Sequence, residues 1–476
     1  MSFTSISSLF FFMPFSIGGY YLLLALENKF SAVKRIRPKD LFTLLCSIAF
    51  YSISGVKSCC VLGAFILLSY VSALLMSRLK DKARRAVCTA AVTSVVAVLF
   101  LSKYLTYLSE LFSGGSLSLG FISALGISFV SFSSVSYIVD SYRGHNEHPS
   151  FLDTMLYLTF FPKLVSGPIV LWRDFSSNLE RRTHSTEAFT RGLNLVIIGL
   201  AKKLIIADTL GALVARLDAN YAGGIDTLTA WGLLVAYALQ IYFDFSGYSD
   251  TALGLCRIFG FNFDANFNFP YTSLSITEFW RRWHISLGRW FREYLYIPLG
   301  GNRRGKARTM INLSIVFIVT GMWHGSGFGY LTWGCMHGAV MLIERSIKDT
   351  KLYQKTPSAI KWGYTMLVVS LGWQFFRFGS FAKAVRFWAL LLGISDGSDI
   401  FASFGYYFTP KILILCAVGI IGALFFAKKP FTSIAQRFYT SPALYAVGQT
   451  LLLVLFALSV IFMINSTYSP FIYFQY

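Results

Sequence analysis

The sequence predicts an all-α, polytopic membrane protein, and three observations carry that prediction. The first is composition: 55% of the 476 residues are hydrophobic and only 13% are charged, against roughly 25% charged in soluble domains. The second is the recurrence of long apolar runs. Residues 9–26, 61–76, 87–105 and 443–463 each approach the about 20 residues that a helix needs to cross a bilayer. The third is the placement of charge. A formal charge of +20 raises the question of nucleic acid, but the basic residues fall in short clusters between apolar runs, where topology signals belong.

Taken in order, the run at residues 9–26 has no basic segment before it and no small-residue cleavage pattern ahead of Glu27. It reads as a retained helix, with the mature chain beginning near Met1. Lys29, Lys34, Arg35, Arg37 and Lys39 form one basic cluster, and Arg78, Lys80, Lys82, Arg84 and Arg85 form the next. The positive-inside rule makes both cytoplasmic. Two segments, residues 41–55 and 60–75, carry the chain out and back between them, which leaves the N-terminus external. Residues 160–169 place Pro162, Lys163, Gly167 and Pro168 at membrane depth, where irregular backbone is tolerated only against protein or a water-filled cavity. Further cytoplasmic clusters hold Arg181, Arg182 and Arg191; Arg303, Arg304, Lys306 and Arg308; Arg345, Lys348 and Lys351; and Lys428, Lys429 and Arg437. Asp218, Asp226, Asp396 and Asp399 mark external segments. Residues 275–299 mix aromatics with arginines and fit a re-entrant or interfacial helical element. No long polar linker divides the chain, so the expectation is one membrane domain over residues 1–466, with about ten or eleven spans and an external aromatic tail at residues 467–476. The seven cysteines have no metal-ligand spacing, and neither disulfide nor metal is expected.

The chemistry gathers in one region. Of six histidines, His284, His324 and His337 lie close together in a tryptophan-rich stretch. His324, in Thr320-Gly321-Met322-Trp323-His324-Gly325, sits roughly 23 Å along a helix counted from Arg308. An imidazole at that depth either bonds a neighbouring helix or carries a proton, and it suits acyl transfer because it exchanges protons near neutral pH. His284 follows Phe279-Trp280-Arg281-Arg282-Trp283, and the nearby arginines disfavour its protonation. An acceptor-orienting role and a structural role both fit. His337 is expected to pack, on the wall that carries His324. Arg281, Arg282, Arg289 and Arg292 are candidates for binding an anionic, phosphate-bearing donor, while the cluster from Arg303 to Arg308 suits lipid phosphate and topology. Asp244 and Asp250 end an apolar run, and pairing with those arginines is the simplest expectation for them. No Gly-x-Ser-x-Gly sequence occurs, which argues against a serine-hydrolase site.

These motifs also carry a resemblance. Phe279-Trp280-Arg281-Arg282-Trp283-His284-Ile285-Ser286-Leu287, then Tyr294-Leu295-Tyr296-Ile297-Pro298-Leu299-Gly300-Gly301-Asn302-Arg303 and Trp323-His324-Gly325 closely resemble the alginate O-acetyltransferase branch of the membrane-bound O-acyltransferase family. The resemblance implies a ring of helices with re-entrant elements around a central funnel, and a multi-pass protein of the bacterial cytoplasmic membrane. It makes His324 catalytic and places His284 near it, with Trp283, Trp323 and Asp244 supporting the site. It implies no bound cofactor. An acyl group, most simply acetyl, would come from a cytoplasmic thioester such as acetyl-coenzyme A and pass toward an external polysaccharide, with a separate extracytoplasmic transferase as partner. The ending Phe471-Ile472-Tyr473-Phe474-Gln475-Tyr476 looks like the acyl-accepting tail of the partner subunit in teichoic-acid D-alanylation, which makes Tyr473 a candidate acyl relay. Two rival readings remain: a glycan-precursor transporter, against which stands the lack of paired internal repeats, and a scaffold for a separate acetyltransferase.

Overall fold

A computed structural model of the chain describes residues 3–30, 35–113, 126–165, 167–220, 224–394, 403–425 and 441–465. Over these residues the protein is helical, with no strand among them. Five of the described helices are long and apolar enough to cross a membrane: Ser8–Lys29, Val56–Arg78, Asp81–Leu105, Thr227–Ile258 and Pro442–Asn465. All four apolar runs singled out in the sequence fall inside them. Other apolar segments fold as shorter helices, among them the 15-residue Pro38–Ser52 and Pro410–Leu424.

Burial is distributed as lipid requires. The helix Pro442–Asn465 buries Ser459 and Met463 while exposing Leu451, Leu453, Val454 and Ile461. Ile127–Tyr142, by contrast, buries Ser131, Ser133, Ser134 and Ser136. Apolar side chains gain nothing by leaving lipid for a helix interface, whereas small and hydroxyl-bearing residues allow close approach and bond across it. Together with the apolar helices, this pattern makes the chain a multi-pass membrane protein.

The chain divides into two compact units, Met1–Val196 with Tyr248–Asp264, and Ile197–Gly247 with Ala265–Tyr476. In the first, the elements are α1 (Met13–Lys29), α2 (Pro38–Ser52), α3 (Val56–Arg78), α4 (Asp81–Phe112), α5 (Ile127–Tyr142), α6 (Phe151–Thr159) and α7 (Trp172–Glu180). Helix α5 packs on α3 and α4, and α1 on α2. The irregular stretch around Pro162 is answered by protein. Phe161 N donates to Ser47 Oγ at 3.1 Å, Tyr157 Oη donates to the Val170 carbonyl at 2.8 Å, and Trp172 N donates to Ser136 Oγ at 2.9 Å. Lys163, buried beside them, donates to Ser133 Oγ at 3.3 Å and lies over the Tyr157 ring at 4.2 Å, a cation–π seat that offsets part of its desolvation. Arg37 and Arg182, from basic clusters far apart in sequence, share the buried Asp40 at 2.8 and 2.5 Å. Two loops assigned to one side by their charge therefore meet.

Helix α8 (Thr186–Ala201) begins in the first unit and runs into the second, where the chain continues through a π-turn, Lys202–Ala207, into α9 (Asp208–Asn220) and then into the long α10 (Thr227–Ile258), whose residues from Tyr248 on belong to the first unit. Next come the short α11 (Ile276–Arg282) and α12 (Ile285–Phe291), and the pair α13 (Gly305–His324) and α14 (Phe328–Ile347). Helices α15 (Ser358–Phe378), α16 (Phe381–Leu391), α17 (Pro410–Leu424) and α18 (Pro442–Asn465) complete it. The π-turn presents Lys203 Nζ to Asp208 at 2.6 Å and to Asp244 at 2.7 Å, with all three side chains buried. Here the structure corrects the expected arginine pairing of Asp244: its partner is a lysine that the widened turn carries inward. A charge buried this deeply is costly unless paired, and the triad supplies the pairing.

Candidate active site

Residues 276–291 form two short helices broken at a histidine, and a π-helical turn, Arg292–Tyr296, follows them. The first, α11, starts with its donors satisfied from two directions. Ser275 Oγ accepts from Glu278 N at 3.0 Å, and the Glu278 carboxylate reaches back past the cap residue to accept from Leu274 N at 2.9 Å, an arrangement related to the capping box. Glu344 of α14 then accepts from Ile276 N at 2.6 Å and from Thr277 N and Thr277 Oγ1, both at 3.0 Å. A buried carboxylate thus holds the orphan amides of a helix start and anchors α11 to α14.

At the junction of α11 and α12, His284 adopts φ 46° and ψ 53°, a left-handed conformation that a non-glycine residue holds only when its surroundings enforce it. Asn266 does the enforcing. Its backbone carbonyl accepts from Ile285 N at 2.9 Å, and its side-chain Oδ1 accepts from Ser286 N at 3.1 Å and Ser286 Oγ at 2.9 Å and meets His284 Nδ1 at 3.2 Å. His284 is 2% exposed, its ring edge-on to Phe245 of α10 at 4.6 Å. Its Nε2 is buried with no hydrogen-bond partner among the described residues. Trp283, also buried, is surrounded by Phe267, Tyr271, Phe279 and Trp373, so it fixes the break from the core side.

His324 is the last residue of α13. Where α13 crosses α14, glycines face each other: a methyl at Gly321 would stand 2.6 Å from the Tyr330 carbonyl, and one at Gly334 would stand 2.5 Å from the Phe317 carbonyl. Only glycine permits that approach, and it brings Trp333 of α14 edge-on to His324 at 5.1 Å. Trp323 and Phe376 enclose the imidazole at 4.4 and 4.7 Å, leaving it 4% exposed. His337 lies against the same Trp333 at 5.2 Å and against Trp280 at 5.3 Å. The expected common wall of His324 and His337 is therefore present, and Trp333 is the ring they share.

A cavity of about 1000 Å³ opens beside these elements. His284, Trp280 and Trp283 line it, as does Thr320, one helical turn before His324. Arg281, Arg289 and Arg292 line it too, joined by Arg345 and Lys348 from the end of α14. Arg282, expected with them, is instead held by Glu278 at 2.8 Å on its own helix and reaches the Asn268 carbonyl at 3.2 Å. Tyr473 lies outside the described residues. Sequence reasoning missed Asn266, Glu344 and Lys203. An acid within the apolar run of α14 was the available signal for Glu344, whereas nothing local distinguishes Asn266 from an ordinary loop asparagine.

An arginine-lined cavity with a neutral histidine among its lining residues can hold an anionic ligand beside a group that exchanges protons. Comparison with known proteins narrows the chemistry. The model of the membrane-bound O-acyltransferase family matches residues 9–378. A probable alginate O-acetylase of Pseudomonas putida is 32% identical over the whole of both chains. The peptidoglycan O-acetyltransferase of Helicobacter pylori is 32% identical over 82% of this chain and 79% of its own length, and the teichoic acid D-alanyltransferase of Bacillus subtilis is 29% identical over 73% and 90%. The family match takes in α10 to α14, with the buried His284, His324 and His337 and the cavity lined by the arginines and Thr320, so the helical chain that builds this site belongs to the membrane-bound O-acyltransferase family and is an acyltransferase of the membrane.

Proposed function

We propose that the protein takes an acetyl group from a cytoplasmic thioester, acetyl-coenzyme A or a related acyl donor, and passes it across the bacterial cytoplasmic membrane to hydroxyls of a cell-surface or secreted polysaccharide. The observation that carries this reading is the cavity, with cationic groups along its wall and Thr320 one turn from His324. Arg281, Arg289, Arg292, Arg345 and Lys348 suit donor phosphates. His324 suits the proton transfer: as the acceptor oxygen attacks the thioester carbonyl, its hydroxyl proton passes to the imidazole, the carbon–sulfur bond breaks, and the proton returns to the departing thiolate. The names of the relatives support an O-linked acceptor on an envelope polymer. In this scheme Tyr473 of the C-terminal tail receives the acetyl group first and an extracytoplasmic transferase carries it to the polymer.

The test is acetylation by His324→Ala in purified, detergent-solubilised enzyme with labelled acetyl-coenzyme A. Turnover falls by about 10²- to 10⁴-fold, the range for loss of a general base, while the variant stays monodisperse. Wild-type transfer by a well-folded His324→Ala protein would remove His324 from the chemistry and overturn this assignment.

A further inference from the structure

The neighbourhood of His284 determines which of its two nitrogens carries the proton. Asn266 Oδ1 accepts from Ser286 N at 3.1 Å, so the oxygen, and not the amide nitrogen, faces the histidine. An unprotonated Nδ1 at 3.2 Å from that oxygen would set two lone pairs against each other, so the proton sits on Nδ1 and is donated to Asn266. The neutral ring then has its lone pair on Nε2, the nitrogen without a partner among the described residues, on a side chain that lines the cavity. Isolated neutral imidazole side chains favour the opposite tautomer, so this state has to be imposed.

We infer that Asn266 is a positioning residue that holds His284, a residue of the cavity lining, as the Nδ1–H tautomer and so leaves Nε2 as the ring's proton or hydrogen-bond acceptor. Asn266 is 1% exposed, and its loop is pinned further along by Tyr271 Oη to the Ala238 carbonyl at 2.5 Å and by Trp362 Nε1 to the Tyr271 carbonyl at 2.9 Å. The acceptor therefore cannot swing away. A neutral amide also differs from a carboxylate in this place, because it orients the ring without favouring the imidazolium. The charged groups on the elements around the ring are Asp244, Asp250 and Arg257 of α10, Glu278, Arg281 and Arg282 of α11, and Arg289 of α12. Of these, Asp244 is paired with Lys203 and Glu278 with Arg282, and Asp264 of the preceding loop is exposed. What this orientation contributes to turnover rests on the proposed acyl transfer; the tautomer itself does not.

The experiment is ¹⁵N NMR of histidine-labelled full-length protein in lipid, with His284→Gln identifying the resonance, alongside pH–rate profiles of Asn266→Asp and Asn266→Leu. In the wild type, His284 shows a protonated Nδ1 and a bare Nε2, whether or not acetyl transfer is the right activity. Asn266→Asp keeps the oxygen but adds charge that favours the imidazolium, so the acid limb of the profile moves to higher pH and activity recovers in alkali. Asn266→Leu removes the acceptor and lowers kcat by about 10- to 100-fold, the range for a group that orients a functional histidine, with a smaller change in the donor KM. A His284 protonated at Nε2 in the wild type overturns the inference. So does an Asn266→Asp enzyme with an unmoved acid limb, or an Asn266→Leu enzyme with wild-type kcat.

Discussion

At the residue scale, the site depends on polar atoms whose partners lie far away in sequence. Glu344 shows this most simply, since it accepts from Ile276 N across 68 residues of chain. Its replacement by alanine leaves buried amides at the start of α11 unmet, at about 1–3 kcal/mol for each orphaned donor. Glu344→Ala is therefore expected to lower the melting temperature of the purified protein, and Glu344→Gln, which keeps one acceptor oxygen, to lower it less. Equal melting of both variants and the wild type would mean that α11 is held by its aromatic contacts alone. Arg282 makes the complementary point: its sequence neighbours suggested a donor contact, but the i, i+4 spacing to Glu278 on one helix face brings it to a carboxylate first.

At the element scale, the crossing of α13 and α14 sets the position of His324. Their glycines let the backbones meet at Gly321 and Gly334, and in lipid this packing, not hydrophobic expulsion from water, holds the two helices together. Gly334→Leu has no space for its side chain against the Phe317 carbonyl. The prediction is loss of transfer at least as severe as that of His324→Ala, with a lowered melting temperature that separates it from the purely chemical variant. Folded, active Gly334→Leu protein would show that the helices part without disturbing the site. The break between α11 and α12 works in the same way, since a continuous helix through His284 could not hold its ring at Asn266 in the observed left-handed conformation.

At the scale of the whole molecule, the basic clusters impose a direction. Arg303, Arg304, Lys306 and Arg308 lie at or beside the start of α13, and the positive-inside rule assigns that end to the cytoplasm. Labelled acetyl-coenzyme A should then acetylate acceptor only when supplied to the cytoplasmic face of oriented vesicles. In the same vesicles Tyr473→Phe, which keeps an interfacial aromatic but removes the phenol, should abolish polymer acetylation if the tail is the relay. Transfer from the external face alone would refute the orientation and the donor route together, and full acetylation by Tyr473→Phe would reduce the tail to a membrane anchor.

The sequence alone determined that the chain is helical, that it lives in lipid, and where its histidines and arginines fall along the helices. Those properties follow from local composition: a run of apolar residues must satisfy its own backbone, and in a bilayer a helix does so without outside partners. The sequence also gathers His284, His324 and His337 in one tryptophan-rich stretch of chain. Only the tertiary structure decided which polar atoms meet. That Lys203 answers Asp244, Glu344 answers the start of α11, and Asn266 answers His284 depends on helix rotation and crossing geometry. Those are set by many weak side-chain contacts acting together across the packed bundle, and no local window of sequence contains them.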